Sequence, residues 1–142
     1  MKRIIIAYFS CFLMLLATTS SVIAHTGHEM VGEVKVVKGV EGRLKVMPAM
    51  NRIDFYLYDT KTDKAITDAK VRAIITMPEG KKIEKELPGT KTEETFSFMN
   101  TVDLSLQGIY SFDIVAKVQY KIGFKAYHSV KTITFPFTYE VK

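Results

Sequence analysis

Cysteine is nearly absent from this chain of 142 residues, and the one present, Cys11, lies in an apolar N-terminal run. Lys2 and Arg3 precede that run, Ile4 to Ala17 is almost wholly apolar, and small polar residues lead to Val22-Ile23-Ala24. This is the order of a secretory signal peptide, with Ala24 at −1 and Val22 at −3 of the expected cleavage site. The apolar run falls short of the roughly 20 residues that a membrane span needs. The expected division is a signal peptide over 1–24, a leader over 25–31 and one domain over 32–142. The expected location is periplasmic or secreted. Tyr8-Phe9-Ser10 ahead of Cys11 is a poor lipid-attachment signal. Cys11 therefore leaves with the signal, and with it go disulfides, thiolate nucleophiles and Cys-ligated zinc.

Charge is scarce in excess too. Without Lys2 and Arg3 the formal net charge drops from +5 to +3. A surplus that small, spread along the chain and offset by acids, reads as a solvated surface and gives no footing for nucleic acid. Carboxylates are present but scattered: Asp54, Asp59, Asp63, Asp68, Asp103 and Asp113 mostly fall on outward strand faces or in loops. No paired acid and base, glycine-rich phosphate loop or nucleophile elbow stands out, so no enzymatic activity is expected.

Helical periodicity is also missing beyond the signal, and alternation at period two takes its place. In "RIDFYLYD", Ile53, Phe55 and Leu57 face one way, and Arg52, Asp54, Tyr56 and Tyr58 the other. "YSFDIVAKVQY" puts Tyr110, Phe112, Ile114, Ala116, Val118 and Tyr120 on one face. "TITFPFTYEV" does the same for Ile133, Phe135, Phe137, Tyr139 and Val141, with Pro136 marking an edge strand or a bulge. Further strands are expected near 32–37, 43–46, 69–77, 81–87 and 93–98. Turns are expected at 38–42, 60–63, Pro78-Glu79-Gly80 and Pro88-Gly89. The fold class is all-β, an Ig-like antiparallel sandwich of seven to eight strands. In "DLSLQGIYSFDIVA", Tyr110 before an alternating strand suggests a tyrosine corner, whose hydroxyl bonds upstream backbone; the plainer reading is a core aromatic.

The run from Ile53 to Lys82 resembles small secreted Ig-like domains of the YtkA-like kind, related in layout to FixH-type domains. The matching features are a strand ending in Asp59, a polar loop, Ala69-Lys70-Val71, Met77-Pro78 with a glycine turn, and later Gly108-Ile109-Tyr110. The resemblance covers about Leu44 to Val141. It implies an extracytoplasmic accessory module, often suspected of metal handling, and carries no ligand residues of its own.

Histidine is rare, three in all, and two of them sit in "SVIAHTGHEM". If cleavage follows Ala24, His25 becomes the first residue. Its α-amine and ring Nδ1 can then chelate one cation. The amine's ordinary pKa of about 7.7–8.0 lets a metal displace its proton near neutral pH. His28 can add a second imidazole, Glu29 an oxygen and Met30 a thioether. Nitrogen donors favour Cu(II), with Ni(II) and Zn(II) behind it. A histidine-first chain on a sandwich is similar, in position and fold class, to CopC-type copper carriers. Against this, two imidazoles and an amine do not fill a closed site, and both histidines have a plain reading as solvated residues.

His128, in "GFKAYHSV", would complete a three-histidine site if the leader folds back; otherwise it is an ordinary strand or turn residue. Met47-Pro48-Ala49-Met50 has the M-x-x-M form that suits Cu(I), and Met30, Met77 and Met99 could join if the loops converge. The plainer reading makes Met47 and Met50 gap-fillers at the edge of the core. The expected function is a non-enzymatic metal-binding accessory protein handling copper. The alternative is a metal-free interaction module of an envelope complex. Its contact would be a sheet edge such as "EGKKIEKELPG" or the face bearing Tyr56 and Tyr58.

Overall fold

The computed structural model describes residues 32–122 and 127–142. Nine strands run in chain order: β1 Glu33–Val37, β2 Val40–Met47, β3 Arg52–Asp59, β4 Ala69–Thr76, β5 Lys82–Leu87, β6 Gly89–Lys91, β7 Phe96–Thr101, β8 Gly108–Ile122 and β9 Tyr127–Val141. They form two antiparallel sheets, ordered β1-β2-β3-β7-β6 and β5-β4-β8-β9. The expected all-β sandwich is what the chain adopts.

Alternation creates the core. The central strands turn apolar residues to the inside, as Ile53, Phe55 and Leu57 of β3 and Phe112, Ile114 and Ala116 of β8 do at 2 % exposure or less. Between the sheets, Phe55 meets Phe135 at 5.5 Å and Phe137 at 6.2 Å between ring centroids. Tilted aromatic pairs of this kind add stabilisation beyond the area they bury. Gly42 is what lets these rings close. A Cβ there would lie 2.8 Å from both Phe135 Cδ1 and Phe55 Cζ.

Three strand expectations are corrected. The turn expected over 38–42 is only Lys38-Gly39, with φ of 51° and 76°, and β2 begins at Val40. Positive φ at both turn residues matches the twist of the flanking strands, so pairing starts at once with Val37 opposite Val40. The strand placed at 93–98 lies at Phe96–Thr101, because Thr92 and Thr95 close a tight turn through the hydroxyls and backbone. Pro88-Gly89, read as a turn, opens the short strand β6. There the chain crosses from one sheet to the other, and the strand count rises to nine.

Pro136 lies in β9, an outer strand, and pairs in unbroken register with Asp113; the strand is an edge and carries no bulge. A proline whose missing N–H faces an open side removes no ladder bond. The tyrosine corner is present. The Tyr110 hydroxyl donates to the Leu106 carbonyl at 2.9 Å, while the ring is fully buried and stacks on Phe112. Both sequence readings of Tyr110 hold, since one side chain anchors the core and ties the β7–β8 connection.

Candidate metal centre

The leader residues His25, His28, Glu29 and Met30 lie outside the described residues. Their attachment point is described. β1 runs antiparallel to β2 with Glu33 opposite Leu44, so the chain enters β1 beside Leu44 and Lys45, a few residues from Met47. Met47 closes β2, and Pro48–Met50 forms a single 3-10 turn. Proline suits its first position, and Met47 precedes it in a non-helical conformation, φ −124° and ψ 86°, so Met47 stands before the turn and Met50 is its last residue. Asn51 ends it in the left-handed conformation, with φ 47°. Its carbonyl then accepts from Val102 N–H at 2.9 Å, and its Oδ1 from Leu104 N–H at 3.0 Å. The methionine turn is thereby pinned to the β7–β8 connection. Met47 is half-buried and Met50 is 59 % exposed.

Other candidates are not gathered here. Met77 is buried in the core at 8 % exposure. Met99 lies on β7 opposite Asp54, with β3 between it and the Met47 strand. His128 pairs through its backbone with Lys121, beyond Val118, the last β8 residue opposite β4. The β1–β2 turn is at that same end, where Lys131 Nζ donates to the Lys38 carbonyl. From there β1 runs five residues one way to its start, and β9 reaches His128 three residues the other way, a separation of about 26 Å at strand rise. The Met47–Met50 turn and the start of β1 thus share one end of the sandwich, and His128 occupies the other. Among the described residues no group of three or more His, Cys, Asp or Glu is placed to hold a metal ion.

One polar feature differs from its sequence expectation. Asp54, expected on an outward face, is buried at 3 % exposure. It does lie on the outer face of β3, but Arg52 folds over it. Arg52 Nε and Nη2 donate to Asp54 Oδ1 and Oδ2 at 2.7 and 2.8 Å. Lys45 and Met99 flank Asp54 from the neighbouring strands. The hydrogen bond to Asp54 is the main reason that the Arg52 pKa is raised. The available signal was the i, i+2 spacing of opposite charges on one strand face. Further along, Arg43 sits over the Tyr58 ring at 5.0 Å and pairs with Glu41.

Burial pushes the phenol pKa of Tyr56, Tyr58, Tyr110 and Tyr120 above the ordinary 10.0. A raised folded pKa gives stability that is present in full below the unfolded value and lost as pH rises through the folded one. The domain is therefore expected to hold a flat stability against these groups up to about pH 10 and to weaken above it. Tyrosinate absorbance followed beside circular dichroism checks this. Full tyrosine ionisation at the ordinary pH with the fold intact would contradict the buried assignment.

No protein-family model matches the chain, and no curated protein does. The YtkA-like and FixH-type resemblance therefore stays at the level of its motifs. Solved structures do match. FetP of uropathogenic Escherichia coli strain F11, expressed in the periplasm, aligns with TM-score 0.57 and 9 % identity over 77 % of this chain and 93 % of that one. Copper-reconstituted P19 from Campylobacter jejuni aligns with TM-score 0.58 and 7 % identity over 77 % and 92 %. A copper-bound variant of FetP gives 0.55 and 9 % over 76 % and 94 %. What is shared is the fold: this chain is an antiparallel β-sandwich of the architecture in which those proteins are built. No helix among the described residues is long and apolar enough to cross a membrane.

Proposed function

We propose that this protein is an extracytoplasmic, non-enzymatic accessory protein that binds copper. The observation that carries the proposal is the strand register, in which β1 begins at the end of the sandwich that holds the Met47–Met50 turn. His28 is five residues from Glu33, and an extended chain of that length spans at most about 18 Å. That reach covers the methionine turn; His25, eight residues from Glu33, spans up to about 29 Å, so a third imidazole from His128 would require the leader to run back almost fully extended along the sandwich. The α-amine and imidazole of His25 and the imidazole of His28 would take Cu(II), and the two thioethers offer a softer set for Cu(I). The copper-loaded neighbours of the same fold support the choice of metal.

The test is made on one sample of secreted protein: intact mass, then Cu(II) titration by calorimetry at pH 7. A chain beginning at His25 with one tight site is expected, with affinity rising with pH as the amine loses its proton. Joint replacement of His25 and His28 by alanine should weaken the site at least about 100-fold, in line with losing first ligands rather than their outer partners. The melting temperature should stay unchanged. Undiminished copper binding in that variant would reject the ligand set. Absence of a tight site in the parent would favour the metal-free interaction module.

A further inference from the structure

Among the described residues four strands have an open side: β1, β6, β5 and β9. Three are guarded against pairing with another chain. β9 carries Pro136, β6 has three residues and follows Pro88, and β5 carries two lysines and two glutamates among its six residues. β1 is different. It exposes Val34 at 48 % and Val36 at 60 % and contains no proline.

Its hydrogen-bonding direction follows from the hairpin. A two-residue turn makes the flanking residues Val37 and Val40 a hydrogen-bonded pair. Alternation then directs the backbone of Lys35 and Glu33 to β2, and that of Val34 and Val36 to the open side. Glu33 and Lys35 lie on the inner side of the strand. Their side chains pair with each other at 3.2 Å and stay 46 % and 35 % exposed, with Lys35 Nζ 5.6 Å from the Phe137 ring centroid.

We propose that β1 is a self-association edge, where two copies of this chain join antiparallel about a two-fold axis at Val34. Only registers that place even-numbered residues opposite one another satisfy the outward N–H and C=O groups. Centring on residue 35 would set Lys35 against Lys35 of the second copy. Centring on Val34 instead sets Glu33 opposite Lys35 of the second copy, twice, because the operation is symmetric. On the outer face Val34 then meets Val34 of the second copy, and Val36 covers Gly32. The two five-stranded sheets become one of ten strands. Inward-pointing charges that normally keep an edge apart here become complementary across it.

Sedimentation of the purified protein over a concentration series into the millimolar range tests this, with four chains compared. The parent should pass from one chain to two. Val34→Pro removes an N–H directed away from β2, with no partner among the described residues, and should stay monomeric with unchanged circular dichroism. Lys35→Glu sets two glutamates opposite each other and should weaken association by roughly tenfold or more. Glu33→Lys combined with Lys35→Glu restores both pairs with their signs reversed, and should recover dimerisation even though the contact to Phe137 is lost. A parent that stays monomeric throughout overturns the proposal. So does a proline variant that dimerises as the parent does, or a double charge swap that fails to recover.

Discussion

Replacing Phe55 with alanine is expected to cost about 3–5 kcal/mol of unfolding free energy. Phe55 has no exposed surface and stands at the middle of β3, opposite Leu44 on one side and Phe98 on the other. It also packs across the two sheets, against Phe135 and Phe137. Removing the ring leaves a cavity that strands cannot close without giving up their register, since β2, β3 and β7 are held by continuous ladders. A domain of this size holds about 5–15 kcal/mol in total, so the variant would keep little or nothing in reserve. Urea denaturation with an unchanged slope measures the loss. A cost below about 1 kcal/mol would mean that the core is not centred on this residue.

The second large effect is at Arg52. Its side chain is 30 % exposed, while that of Asp54 is 5 % exposed and depends on the two guanidinium hydrogen bonds for compensation. Arg52→Ala would leave a carboxylate buried without its partner. For a fully buried pair that costs about 3–5 kcal/mol, and the partial exposure of Arg52 lowers the expected loss to about 2–3 kcal/mol. Asp54→Ala alone should cost less, because a freed Arg52 can turn to solvent. The double variant should lie close to the Asp54 single variant, so the cycle yields a clear coupling energy. Additive losses would show that the pair contributes nothing as a pair. The same ion pair explains how a charged residue came to be covered on an outward sheet face: the aliphatic stem of Arg52 supplies cover while its head neutralises the charge.

The copper reading and the edge reading concern different parts of the molecule. One concerns the end of the sandwich where the leader begins, the other the side of β1. Both depend on β1 being the outermost described strand of its sheet, which starts beside the end of β2 that Met47 closes and exposes Val34 and Val36.

Much of the sandwich was legible from local pattern. Side chains alternate across a strand, so the inward sets of β3, β8 and β9 could be read directly, and Tyr110 announced its corner through its place at the start of β8. The donors proposed for copper were equally visible, since two histidines near an expected cleavage site need no partner in space to be noticed. Strand bounds at 38–42 and 93–98 were misread because turn-forming residues also occur inside tightly paired hairpins. The crossing at Pro88 was missed because changing sheets is a property of the packed layers. Only the tertiary structure decided which residues share an end of the molecule, setting Met47 and Met50 beside the start of β1 and His128 far from it. It alone buried Asp54, and it alone left one side of β1 without a partner strand among the described residues. Pairing order and cross-strand register join residues tens of positions apart, and no local period in the chain encodes that choice.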